Sequence, residues 1–463
     1  MPKLVFISSL GLAIFILSFC LIEYLPNAIF EDDAYFYFQI AKNILDLGQS
    51  TFDGISTTNG YHPLWMAILV VVGAPLKLAG VQSLSIYAGS FIAISCLVWI
   101  LILSKLEGWA ILLGAILALY CGLGMESPLA ALFLILIFDR MLNDKSAAIW
   151  VYFLVATRVD MAMVILPLLL LARIKKKGYL ILAALLAEGT VALIDFILTG
   201  HPYSISGLIK SGSMTTGPLA IVTENFSSAG NLYRYLVVIV INIGLFHFLR
   251  TNANLRPNNS RLWIALIITA NTFLLAHTFL SFTRHWYFAP TLLPLLFLWS
   301  RLNPDHIKPQ HNYRITTSGS APMASMVGLG AVLFIAYIVH NLGDMRASRK
   351  FFQDVRATIP AGNVIYALDG AGYPGWMLNG HAQVIDGDGL VNSFEYLNKT
   401  LHTCDMRSYF KENHVKYYLL NSAGKDNCPL ACFCLHKGEY SQVLASASTR
   451  KFTSYRLFAM PAK

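Results

Sequence analysis

LVFISSLGLAIFILSFCLI at residues 4–22, followed by EDDAYFYFQIAKNILDLG at residues 31–48, decides the architecture of this chain. The first stretch carries no charge and is long enough to cross a bilayer as a helix, the form in which backbone satisfies its own hydrogen bonds in lipid. Lys3 precedes it, no small-residue cleavage site follows, and Phe19 before Cys20 argues against a lipoprotein signal, so the run reads as a retained anchor with its N-terminus inside. In the second stretch largely apolar residues recur every four positions, Phe36, Ile40, Ile44 and Tyr37, Ala41, Leu45, up to Gly48. This predicts an amphipathic helix capped by aspartate. Its apolar face suits the membrane interface, which would hold Glu31, Asp32 and Asp33 at the outer lipid boundary, at the positive end of the helix dipole.

The whole chain of 463 residues is 56% hydrophobic and only 13% charged, against roughly one quarter charged in soluble proteins. A net charge of +9 invites a nucleic-acid reading. The basic residues, however, sit largely in short segments between apolar blocks, among them Arg173, Lys175, Lys176, Lys177, Arg250, Arg256, Arg261, Arg301, Lys308 and Arg314. That pattern is membrane topology, and no nucleic-acid partner is expected. If Leu64–Ala79 crossed the bilayer, every later basic loop would face outward, so this segment reads as interfacial or re-entrant. Residues 148–173 are interrupted by Arg158-Val159-Asp160. The first half reaches only about 15 Å, half a hydrocarbon core, so two short helices should meet at a polar turn that lines a wet cavity or is buried in protein.

The expected fold is a polytopic α-helical membrane protein with about eleven membrane helices, at residues 4–22, 84–104, 109–122, 127–140, 148–157, 161–173, 178–198, 233–249, 262–280, 287–300 and 324–341. Residues 1–343 form the membrane domain, with an outer loop at 24–83 that carries the acidic pair and juxtamembrane helices. From 344 to 463 the composition is that of a soluble α/β domain: a helix-like RKFFQDVRATI, then strand-like NVIYALDG, QVIDGDG, VKYYLLNS and FTSYRLFAM. This domain is expected outside the cell or in the periplasm. Cys404, Cys428, Cys432 and Cys434 fall in it, and in an oxidising compartment they are disulfide candidates sooner than zinc ligands.

Three consecutive acids exceed the need of an N-cap, since one carboxylate suffices. Crowded at a membrane boundary, they repel one another and raise their pKa values toward those of a general base. Asp32 and Asp33 are therefore the candidate catalytic residues; a pair of acids also suits a divalent cation such as Mg, Mn or Ca. Outer-facing cations are few: Arg158, Lys210, Arg284 and His285 are the candidates for holding an anionic group. Arg158 and Asp160 lie near membrane depth, where each charge costs about 2.5–3.5 kcal/mol, so they should face a cavity and each other; a purely structural ion pair fits equally well. Trp286 and Tyr287 fit an interfacial aromatic belt. Lys210 also fits a solvated loop, and Glu126 a helix N-terminal charge. In IDGDGLVNSFEYL the spacing fails the EF-hand pattern, leaving acidic turn residues or a cavity-facing Asp388 and Asn392.

The segment EDDAYFYFQIAKNI, with STFDGISTTNGYHPLW after it, resembles the first outer loop of GT-C superfamily glycosyltransferases, the group that includes cell-wall arabinofuranosyltransferases, protein O-mannosyltransferases and lipid A aminoarabinose transferases. The likeness extends more weakly through GMES at Gly124–Ser127 and RVD at Arg158–Asp160, which departs from an Arg-Pro-acid form. The resemblance implies a polyprenyl-phosphate sugar donor, a glycan, lipid or protein acceptor, and membrane lipids as partners. It also implies a base among Asp32 and Asp33, with a positional lean to Asp32; the reading of the residues adds Tyr61, His62, Trp65, Glu126, Asp160, Tyr287, Asp388 and Asn392 as candidates for the substrate cavity, and Arg158, Lys210, Arg284 and His285 as candidates for the donor phosphate. The implied setting is a bacterial inner (plasma) membrane and a cell-envelope acceptor on its outer side. The rivals are a secondary transporter working through Arg158 and Asp160, and a non-catalytic envelope assembly protein. A transporter commonly shows two matching halves, and none is evident here.

Overall fold

The structure, a computed structural model, describes residues 3, 5–9, 11–13, 15–16, 30–120, 123–172, 177–212, 218–227, 229–251, 257–280, 283–301, 346–368, 370–403, 405–421, 441–445 and 455–460. Parts of the expected segment 4–22, all of 324–341, the domain boundary at 343/344 and Cys404, Cys428, Cys432 and Cys434 lie outside the described residues. Among the described residues three helices are long and apolar enough to cross a membrane: Leu84–Lys105, Lys177–Thr199 and Arg261–Leu280. Shorter apolar helices pack among them, including Ser127–Leu142, Ala148–Thr157 and Ala162–Leu171.

The amphipathic stretch forms helix α1, Asp32–Leu47, ending in a left-handed Gly48 (φ 69°) whose amide closes back on the Ile44 carbonyl. Without a Cβ, glycine adopts this conformation at little cost. The expected aspartate cap is not made. Glu31 occupies the cap position and makes no side-chain cap bond, and Asp32 is already helical. Nor does α1 present one apolar face to a membrane surface: Ala34, Tyr35, Phe36, Tyr37 and Phe38 are all buried. Five consecutive buried residues span more than a full turn, so the first half of the helix is covered on every side. Its neighbours are helix α2 (Pro63–Leu78), Leu84–Lys105 and, from the other domain, the helix Gly372–Leu378. Tyr35 packs on Tyr373 and Trp376 at 5.8 and 5.5 Å between centroids.

Lys3 Nζ donates to the Ser104 carbonyl at 3.2 Å, so the start of the chain and the end of Leu84–Lys105 share one end of the bundle. The interrupted run folds as expected from its charges: Ala148–Thr157, a 3-10 turn at Val159–Met161, then Ala162–Leu171.

The C-terminal region is a five-stranded sheet: β1 Asn363–Ala367, β2 Ala382–Asp386, β3 Val415–Asn421, β4 Ser441–Ala445 and β5 Tyr455–Ala459, in the order β2-β1-β3-β5-β4. β1 is parallel to both β2 and β3, and β5 is antiparallel to β3 and β4. The crossovers are helical, and Tyr366, Ile385, Tyr418 and Phe458 bury the strands against Tyr396, Met406 and Phe410. The turns leaving the carboxyl ends of β1 and β2 meet the membrane domain. A Cβ on Gly372 would lie 2.2 Å from the Asp32 carbonyl oxygen, and one on Gly60 would lie 1.8 Å from the Leu390 carbonyl oxygen. Both glycines are therefore demanded by close approach of two backbones.

Candidate active site

Asp32 and Asp33, adjacent in sequence, face different surroundings. Both oxygens of Asp32 are engaged: Oδ2 accepts the Gly372 amide at 3.0 Å and Oδ1 the Tyr373 amide at 2.7 Å. Burial pushes the Asp32 carboxyl up to about 8; the Tyr373 and Gly372 amides oppose this, and the charges of Asp33 and Asp388 reinforce it. Asp33, about 100° further round the helix, lines a niche of about 40 Å³ together with Tyr37, Tyr61, His62, Glu126, Arg158 and Lys210. Burial also raises the Asp33 carboxyl above the usual carboxylate range, but here two cations, Lys210 and Arg284, pull it back toward ionisation.

The niche adjoins a cleft of about 610 Å³ that shares Tyr61, His62, Arg158, Ser206, Lys210 and Tyr287 and continues along Asp160, Met163, Glu188, Val191, Asp195, Ala276, His277 and Leu280. These further residues come largely from the Lys177–Thr199 helix and the end of Arg261–Leu280, two of the helices suited to cross a membrane. The cleft therefore runs from a charged inner end to helices suited to cross a membrane.

A buried ionic chain backs the niche. Arg158 is 4% exposed and Glu126 1% exposed. Arg158 Nη1 donates to Glu126 Oε1 at 2.5 Å, while Nε and Nη2 form a fork on Asp160 at 3.1 and 2.7 Å. Tyr37 Oη donates to the other Glu126 oxygen at 3.0 Å, and His277 Nε2 lies 3.1 Å from Asp160 Oδ2. The Phe273 and Tyr287 rings cover the guanidinium, each 5.0 Å from its centroid. A guanidinium so committed orients the site and has few donors left for a ligand. His62 Nε2 sits 3.6 Å from Glu126 Oε1.

Of the residues singled out in the sequence, Asp33, Tyr61, His62, Glu126, Arg158, Lys210 and Tyr287 converge on the niche, and Asp160 on the cleft. Arg284 is exposed and acts on Asp33 through its charge. The His285 backbone belongs to the 3-10 turn His285–Phe288; its side chain lies outside the described residues. Trp65 does not line the cavity: buried, it donates Nε1 to the Gly124 carbonyl at 2.9 Å and ties α2 to the segment leading to Glu126. Asp388 and Asn392 do not line it either. Asp388 accepts the Leu390 amide at 3.0 Å and Asn392 donates to the Asp386 carbonyl at 2.8 Å, which folds the turn so that Leu390 and Val391 enter the niche. Each Asp32 oxygen accepts one amide, and among the described residues no group of three or more His, Cys, Asp or Glu is arranged to hold a metal.

Tyr37, Ser206, Trp286, Leu390 and Val391 line the niche without having been read from the sequence. Tyr37 had a signal, standing four residues after Asp33 on one helix face. Leu390 and Val391 had none, because turn residues reach a site only through tertiary docking.

Helices suited to cross a membrane thus enclose a charged niche against a five-stranded sheet, and a solved structure has the same fold. In particular, ArnT from Cupriavidus metallidurans, solved bound to undecaprenyl phosphate, shares this fold: the match covers 99% of this chain and 98% of that one, with a TM-score of 0.53 and 12% sequence identity. No family model matches the sequence, and no curated protein matches it.

Proposed function

We propose that the protein is a membrane glycosyltransferase that moves a sugar from a polyprenyl-phosphate donor to a cell-envelope acceptor, with Asp33 as general base. The observation that carries this reading is the joining of a carboxyl flanked by cations to a cleft walled by helices suited to cross a membrane. The donor's lipid tail lies in the membrane, its phosphate meets Lys210 and Arg284, and its anomeric carbon faces the niche. The acceptor hydroxyl enters beside Asp33. As the acceptor oxygen bonds to the anomeric carbon, its proton passes to Asp33 and the bond to the phosphate oxygen breaks, its electron pair leaving with polyprenyl phosphate. Attack opposite the leaving group inverts that carbon. Asp33 suits the role better than Asp32. Asp32 spends both oxygens on the Gly372 and Tyr373 amides, whereas Asp33 lines the niche and Lys210 and Arg284 favour its ionised form. The match in fold with a protein solved on undecaprenyl phosphate supports a lipid-phosphate donor.

Purified protein in bilayers should release polyprenyl phosphate from a polyprenyl-phosphate sugar when supplied with envelope extract. Solute flux in proteoliposomes with no donor turnover would instead establish the transporter. Lys210→Met should raise the donor KM about 10- to 100-fold through loss of a charged contact to phosphate. It should also displace the acid limb of the kcat/KM profile to higher pH. The sign follows from the charge: Lys210 lowers the Asp33 pKa, so without it the base protonates at higher pH. An unmoved limb would separate Lys210 from Asp33.

A further inference from the structure

Asp32 sits beside the proposed base yet faces away from the niche, and no cap on its own helix explains it. Its two oxygens take the amides of Gly372 and Tyr373, more than three hundred residues further along the chain, at the start of the helix Gly372–Leu378 that follows β1. The surroundings are built for that contact. Gly370 is left-handed at φ +64°, Gly372 has no room for a Cβ against the Asp32 backbone, and Tyr35 closes on Tyr373 and Trp376. The next turn of the same domain, after β2, delivers Leu390 and Val391 to the niche that Asp33 lines.

We propose that Asp32 is a positioning residue: by accepting the Gly372 and Tyr373 amides it locks the outer domain onto the first turn of α1 and so aims the adjacent Asp33. This rests on the reading of Asp33 as the base. Successive residues of a helix move as one rigid turn, so any tilt that Asp32 prevents would displace the Asp33 carboxyl by a similar amount. A misplacement of about 1 Å at a reacting group costs about 10²-fold in rate. The same lock sets how far Leu390 and Val391 close the acceptor side, so the outer domain shapes the site through its backbone.

The test uses the full-length protein in bilayers and compares Asp32→Asn with Asp33→Asn. An amide side chain can accept only one of the two N–H groups. Asp32→Asn should therefore lower kcat about 10²-fold with the donor KM unchanged and the acid limb of the pH profile retained. Hydrogen exchange of the peptide spanning residues 370–373 should accelerate about tenfold. Asp33→Asn should abolish the acid limb and leave that exchange at the wild-type rate. Gly372→Ala, which presses on the Asp32 backbone from the outer domain, should reproduce the Asp32→Asn pattern, and it reads the lock from the other side should Asp32→Asn not fold. Loss of the acid limb in Asp32→Asn, exchange that stays slow, or full turnover despite fast exchange would each overturn the positioning role. Activity surviving in Asp33→Asn would overturn the choice of base instead, leaving the exchange result on Asp32 standing.

Discussion

Asp33→Asn should reduce sugar transfer by about 10²- to 10⁴-fold, the range that general base catalysis supplies, while leaving the donor KM nearly unchanged. The substitution keeps the side-chain volume and one accepting oxygen but cannot take a proton. Because Asp33 lines the niche and does not form the bonds that dock the sheet region, the fold should survive, as checked by an unaltered thermal unfolding midpoint in detergent. The wild-type rate should fall as pH drops through the Asp33 pKa, which burial holds above the ordinary carboxylate value. In the variant the residual rate should be flat over that range. Wild-type turnover in Asp33→Asn would remove the proposed base.

Arg158→Met is expected to have the largest effect on stability, about 3–5 kcal/mol, because it strands Glu126 as a buried charge. Glu126 is almost completely enclosed, and the fork on Asp160 is lost as well, leaving Asp160 with His277. The unfolding midpoint in detergent should fall sharply. The double variant Glu126→Gln with Arg158→Met should recover much of the loss, since a neutral amide tolerates burial that a lone carboxylate does not. If Arg158→Met alone unfolded at the wild-type temperature, the ionic chain could not be what holds the niche together.

The positions of several elements followed from local sequence alone. Arg158-Val159-Asp160 could break an apolar run in few ways, because charges at that depth must find each other, and the turn lies where they do. The period of α1 and its stop at Gly48 were equally local. Its surroundings were less so: in Ala34-Tyr35-Phe36-Tyr37-Phe38 the apolar residues are contiguous, which signals burial all round, yet the four-residue repeat drew attention to one face. The different duties of Asp32 and Asp33 could not be read at all. Two neighbouring aspartates are chemically alike until the fold brings the Gly372 and Tyr373 amides to one and Lys210 to the other. Leu390 and Val391 belong to the same class of residues, placed by docking between regions far apart in the chain.

The Lys177–Thr199 helix buries a single stripe, Leu180, Ala183, Ala187, Val191 and Asp195, and turns Leu182, Leu185, Leu186, Leu193 and Ile197 outward. Small alanines let it lie close against Ala148–Thr157 on that stripe, and the side chains of the opposite face are exposed. As one wall of the cleft, it would leave the bilayer as the remaining boundary of the chamber in which the proposed transfer takes place. A substrate delivered there would be measured only at its head, and chain length would go unread. Donors with isoprenoid tails of different lengths would then compete on equal terms, and membrane fluidity, rather than any hinge in the protein, would govern how quickly one replaces another.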